Sequence, residues 1–271
     1  MVTGVVFADV VSKNPNYLKR GKIDKVHIAN YLKKELRKHN YTIIKDPTGT
    51  SPFKLIENFS PRKGDCGTAG HFWRENKVKI GTGTTDCNSN RLRLEVASSG
   101  DIRIGKKAKE IWVGYYFYVP NTPDNFKDKL LQPYITQFYS VNRKGGQTVG
   151  GYAPQFSASI YNGKLSIEGN HVIDEKNLKG KWHKVEFNIR YSKQYDGFIK
   201  VYINDELKVN RSGFKTASHD YVDIKYGSYS HPEYGGANYP EGYQFPSHTI
   251  YFAGFSTVSY THLTLPTSDL V

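Results

Sequence analysis

Lys225 and Tyr229, in the run IKYGSY at 224–229, place a cation and a phenol four residues apart. The surrounding stretch, 222–229, alternates. Val222, Ile224 and Tyr226 fall on one face of an extended chain, and Asp223, Lys225, Gly227 and Tyr229 fall on the other. An earlier stretch, RLRLEV at 91–96, repeats the pattern: Leu92, Leu94 and Val96 point one way, and Arg91, Arg93 and Glu95 the other. A sheet with one apolar face and one face of Arg, Lys and Tyr forms a groove for a polyanion.

The composition agrees. The chain has 271 residues, with 38 Lys and Arg against 25 Asp and Glu, a net charge of +13. Such a charge favours anionic partners: nucleic acid, acidic polysaccharide or a membrane surface. No helix-turn-helix, zinc-finger or RNP-type motif is present, so nucleic acid is the weakest of these. The sequence has no long apolar run, and no membrane insertion is expected. The 21 Tyr and 14 Phe suit β-sheet and sugar-binding faces. Cys66 and Cys87 fit a single disulfide in an exported, secreted or periplasmic protein, with two free thiols as the alternative. No C-x-x-C or matching His pair points to a metal site.

These strands must come from a β-rich chain. After residue 40, candidate strands fall at 41–45, 53–59, 90–97, 110–119, 134–141, 155–161, 164–169, 182–191, 197–203, 206–210, 221–229 and 248–257. Asn162-Gly163 and Asn204-Asp205 mark two tight hairpins. Many short strands separated by turn signals predict an all-β sandwich or jelly roll, preceded by one amphipathic helix at 22–38. The expected division is a segment at 1–40 with that helix and a signal remnant at 1–10, then a β-jelly-roll domain at 41–257. Residues 258–271 open with VSYTHLTLPT, which resembles the conceptual translation of a sequencing-library adapter; this tail is expected to be foreign. Residues 230–246, rich in Gly, Tyr and Pro, read as a long functional loop.

Several ordered pieces resemble the β-jelly-roll polysaccharide lyases of the heparin lyase I and glucuronan lyase type. They are KDPTG at 45–49, GDCG at 64–67, NRLRLEV at 90–96, TQFY at 136–139, WHKVEFNIRYS at 182–192, IKYGSY at 224–229 and TIYFAGFS at 249–256. The resemblance covers about 41–257 and implies a lectin-like (concanavalin-type) sandwich that cleaves a uronate polymer by β-elimination. Such a reaction removes the proton at C5 beside a carboxylate and expels the O4 leaving group. The carboxylate must be neutralised, and a base and an acid must stand within hydrogen-bond reach. Tyrosine can serve as both if cations favour its phenolate.

The resemblance carries the catalytic tyrosine to Tyr229 and the substrate-binding lysine to Lys225, about 13 Å apart along the strand. Arg93 takes the family arginine's place, where a planar fork matches a uronate or sulfate; Arg91 shares its face. Gln137 takes the family glutamine's place and would bond the substrate carboxylate; a buried structural amide, sharing a face with Ile135 and Tyr139, is the competing reading. Heparin lyases place a histidine two positions after that glutamine, and this chain has Tyr139. Tyr139 replaces it, or Tyr229 acts alone, or His71 in the loop between the cysteines supplies the base. His183 alternates with Val185, Phe187 and Ile189 and reads as structural. The expected substrate is glucuronan- or alginate-like, with a glycosaminoglycan as a further option. The chemistry requires no cofactor, though a structural calcium is compatible with it, and a monomer is expected. The alternative is a non-catalytic lectin-like module for acidic polysaccharide. A glycoside hydrolase is disfavoured, because no E-x-D-x-x-E pattern of paired carboxylates occurs.

Overall fold

Alternation in the sequence becomes two faces in the fold. In β6 (Lys109–Tyr118), Ile111, Val113, Tyr115 and Phe117 are fully buried, while Trp112, Tyr116 and Tyr118 between them are half-buried. In β12 (Trp182–Tyr191), Val185, Phe187, Ile189 and Tyr191 do the same, and the two strands pair antiparallel without a break from Trp182 opposite Tyr118 to Tyr191 opposite Lys109. The computed structural model describes residues 26–27, 41–63, 92–98, 102–104, 108–122, 126, 128, 130–144, 147–150, 154–230 and 245–259.

Two sheets result. The seven-stranded sheet runs β14 (Glu206–Phe214), β13 (Gly197–Ile203), β12, β6, β16 (Ile250–Ser259), β3 (Leu55–Phe59), β2 (Tyr41–Lys45). The nine-stranded sheet runs β1 (Val26–His27), β4 (Leu92–Ser98), β15 (Tyr221–Ser230), β7 (Tyr134–Lys144), β9 (Pro154–Tyr161), β10 (Lys164–Ile167), β11 (Asn170–Ile173). Two short strands join it at the side: β5 (Ile102–Arg103) against β15, and β8 (Gln147–Gly150) against β7. Among the described residues, helix is confined to α1 (Glu175–Leu178). This is the jelly-roll sandwich that the strand pattern predicts.

The core fills the space between the sheets. Phe138 of β7 meets Phe187 of β12 at 4.8 Å, and Tyr226 of β15 stacks on Phe255 of β16 at 4.1 Å. Each such ring contributes roughly 1.5–3 kcal/mol by leaving water. Two polar groups cross the core with partners: Thr136 bonds the Tyr115 hydroxyl at 2.5 Å, and the buried Glu57 carboxylate accepts from Tyr41 and Tyr226 at 2.8 and 2.9 Å. His183 is buried as expected, against the Leu178 carbonyl at 3.2 Å and the Phe117 ring, and burial lowers its pKa.

Both marked hairpins form. Asn162 and Gly163 have φ of 50° and 73°, and Asn204 and Asp205 have 50° and 70°, the left-handed pair that a two-residue turn needs. A third such turn, Glu168-Gly169 at 50° and 76°, joins β10 to β11 where the sequence reading had extended a single strand to 169.

The predicted N-terminal helix is corrected at Val26 and His27. They pair as a strand with Ser98 and Ala97, covering the outer edge of β4. Sealing an open edge outweighs a local helical period there; the rest of 22–38 lies outside the described residues. β16 continues through Ser259, with Val258 opposite Trp112 and Ser259 opposite Ile111, two residues into the segment expected to be foreign.

Candidate active site

β15 lies inside the nine-stranded sheet, between β4 and β7. Val222, Ile224 and Tyr226 bury themselves in the core between the sheets, which turns Asp223, Lys225 and Tyr229 to the opposite face, where Tyr229 is itself buried. β4 presents Arg93 and Glu95 on that face while Leu92, Leu94 and Val96 enter the core. β7 sends Thr136 and Phe138 inward and Gln137 and Tyr139 outward. Ile135 sits in the core cluster, because the register of β7 against β9 shifts between Tyr134 and Thr136. It therefore does not share the face of Gln137, as simple alternation had suggested.

Register brings these residues into rows across the strands. Tyr229 stands opposite Arg93 on one side and Tyr134 on the other. Lys225 stands opposite Gln137, which in turn stands opposite Ser157 of β9; Asp223 stands opposite Tyr139. Two cation–ring pairs follow. The Arg93 guanidinium lies 4.5 Å from the Tyr229 ring centroid, and Lys225 Nζ lies 4.5 Å from the Tyr139 ring centroid. The Tyr134 and Tyr229 rings are 6.2 Å apart.

Gln137 is 1% exposed, and its Oε1 finds no hydrogen-bond partner among the described residues. A buried amide oxygen left so costs about 1–3 kcal/mol.

The backbone of β15 is irregular where the site needs it. Pairing with β4 is continuous from Lys225 to Ser230. Against β7, the three steps from Tyr226 to Tyr229 match the two from Thr136 to Tyr134, so β15 bulges there. Gly227 adopts φ of 136°, and a Cβ on it would lie 2.4 Å from the Leu94 carbonyl oxygen. Only glycine fits this position.

Of the residues singled out by sequence, Tyr229, Arg93, Lys225, Gln137 and Tyr139 gather on one face. Arg91, His71, Cys66 and Cys87 lie outside the described residues, as does most of the 230–246 loop. Sequence reasoning missed Tyr134 as a neighbour of the site, and placed Asp223 on its face without giving it a role. Tyr134 had a signal, since it opens a strand already expected to carry Gln137. Among the described residues, no three His, Cys, Asp or Glu side chains cluster as a metal site, and no helix is long and apolar enough to cross a membrane.

Chemically, this face offers cations for a carboxylate, phenols for proton transfer and an amide for orientation. The fold is shared with a solved structure. The endo-β-1,4-glucuronan lyase of the fungus Trichoderma reesei superposes with a TM-score of 0.53 at 13% identity, over 86% of this chain and 90% of that one. The PL-14 alginate lyase of Aplysia kurodai gives a TM-score of 0.45 at 13% identity, over 82% and 87%. No curated protein matches the chain at significant similarity. The sequence matches the polysaccharide lyase family across residues 19–256, so the chain belongs to that family and the protein is a polysaccharide lyase.

Proposed function

We propose that the enzyme cleaves a uronate-containing polysaccharide by β-elimination on the face of the nine-stranded sheet turned away from the core, with Tyr229 as both base and acid. The observation that carries this reading is the Arg93–Tyr229 pair at 4.5 Å, four residues along β15 from the Lys225–Gln137 pair. A guanidinium at that distance stabilises the phenolate that a base role needs. Lys225, beside Tyr139 and opposite Gln137, takes the substrate carboxylate, and the Gln137 amide bonds it or a neighbouring hydroxyl.

The reaction runs in four moves. The Tyr229 phenolate takes the C5 proton. The C5–H electron pair forms the C4–C5 double bond. The C4–O4 bond breaks, and its pair leaves with O4. The Tyr229 hydroxyl returns the proton to that oxygen. No net oxidation occurs, and the phenolate is regenerated.

One residue performing both transfers acts from one side of the ring. It therefore requires the C5 hydrogen and O4 on the same side, as in D-glucuronate and D-mannuronate. In L-guluronate they lie on opposite sides. Glucuronan and mannuronate-rich alginate are thus the favoured substrates, and Tyr139 is a carboxylate-side neighbour rather than a second base. We further take the enzyme to be exported, with Cys66 and Cys87 paired, and to act as a monomer.

The test is the ultraviolet absorbance of the unsaturated uronate product. Glucuronan, polymannuronate, polyguluronate, hyaluronan, chondroitin sulfate, heparin and pectate would each be incubated with the enzyme. A rise with glucuronan or polymannuronate, lost in Tyr229→Phe, is expected. A rise with polyguluronate alone would refute the single-residue mechanism.

A further inference from the structure

Ser228 separates Gly227 from Tyr229, and its side chain points the other way, into the core. Its hydroxyl meets Nε2 of His248 at 2.5 Å, and Nδ1 of the same ring lies 3.1 Å from the Pro246 carbonyl. A carbonyl can only accept, so Nδ1 carries the proton and Nε2 is the bare nitrogen. Ser228 therefore donates to His248. Both side chains are buried, and the Phe126 ring packs on the imidazole at 5.2 Å.

The segment that holds His248 is itself tied down. The His248 amide donates to the Pro61 carbonyl at 3.2 Å. Ser247 Oγ accepts from the Lys63 amide at 2.9 Å, and Thr249 Oγ1 meets Ser60 Oγ at 3.0 Å. The imidazole is thus a fixed post, not a mobile side chain.

This post meets β15 at its weakest point. Between Tyr226 and Tyr229 the ladder to β7 is out of step, so the bulge has regular support from β4 alone. Gly227 adds no side chain to steady it. The Ser228–His248 bond is anchored there from the core side. In a pleated strand, fixing the inward side chain of one residue sets the outward direction of the next.

We propose that His248, acting through Ser228, is a positioning residue that aims Tyr229 at the reacting sugar. The proposal rests on the reading of Tyr229 as base and acid. In this role His248 acts through the Ser228 bond, by holding the bulge in one geometry.

The experiment compares Ser228→Ala, Ser228→Thr, His248→Phe and Tyr229→Phe in the full chain. The polymer that gives the largest rise with the parent enzyme is the substrate, and every assay is run below each variant's melting midpoint. For Ser228→Ala, kcat should fall about 10²-fold, the scale of a small misplacement of a reacting group. KM should stay within about twofold, because the binding residues are untouched. Ser228→Thr restores the hydroxyl and should recover most of the lost kcat; His248→Phe should match Ser228→Ala. A lower melting temperature with full kcat in Ser228→Ala would make the link merely structural and overturn the proposal. Equal losses in Ser228→Thr and Ser228→Ala would overturn it too. If Ser228→Ala does not fold, His248→Phe decides: full kcat in that variant refutes positioning. Should Tyr229→Phe keep its turnover, the reading of Tyr229 fails whatever the other variants do. Should Tyr229→Phe lose turnover while the Ser228 and His248 variants keep it, the positioning role alone fails.

Discussion

Acidification should weaken this fold through one buried imidazole. His248 is 4% exposed, and burial lowers its pKa from 6.5 to about 4, while its bond to the Pro246 carbonyl pulls the other way. The folded protein resists charging the ring and the unfolded chain does not. Between those values the unfolded state binds more protons. The stability linked to His248 is fully present above pH 6.5 and is lost as the pH falls to about 4. At about 1.4 kcal/mol per pH unit, that window amounts to roughly 3 kcal/mol. For a chain of this size it corresponds to a fall in Tm of roughly 5–6 °C. His183 is shifted in the same direction by burial, so the parent protein alone does not isolate the effect. The assay is therefore a pair of melting series across the window, for the parent and for His248→Phe, whose apolar ring cannot charge. The gap between the two should change by about the amount worked out above as the pH falls. A gap that stays constant would refute the assignment, and with it the buried, neutral state of His248.

Other outcomes follow from the same geometry. Tyr229→Phe removes one hydroxyl and should lower kcat by about 10²–10⁴-fold with little change in KM, read from product absorbance. Lys225→Met removes a cation beside the substrate carboxylate, a contact of about 1.5–3 kcal/mol, and should raise KM roughly tenfold or more while flattening its salt dependence. Arg93→Lys keeps the charge but loses the planar fork over the Tyr229 ring, so activity should fall rather than persist. Gly227→Ala forces a Cβ against the Leu94 carbonyl and the Phe59 ring at a φ that favours glycine; it should cost at least about 1–3 kcal/mol in a denaturant melt.

The sandwich was legible where local chemistry spoke for itself. β2, β12 and β13 were bounded correctly because runs of aromatic and β-branched residues stood between turn residues. Asn162-Gly163 and Asn204-Asp205 announced their turns because Asn, Asp and Gly tolerate left-handed backbone. Glu168-Gly169 makes the same turn with a residue that gives no such signal, so β11 was missed. Val26 and His27 went astray for a different reason: their strand exists only because β4 offers an edge far along the chain. The site divides the same way. Parity placed Lys225 and Tyr229 on one face, and family motifs named Arg93 and Gln137. What faces what depends on register, which no local pattern encodes. The bulge at Gly227 and the Ser228–His248 bond lay beyond reach, since twenty residues separate the two partners and only the closed core brings them together.

β15 carries site and core side chains in strict succession, and this limits how such an enzyme can diversify. Tyr226 is packed against Phe252 and Phe255 and bonded to Glu57, immediately beside Lys225. A change that repacks the interior there also tilts the face that carries Lys225 and Tyr229, and a change on that face disturbs the interior. Drift toward a new polymer is therefore expected to spare this strand. It should accumulate instead at the far margin of the sheet, where the edge strand β11 pairs with β10 alone among the described residues and its His171 bonds Ser166 of β10 at 2.8 Å.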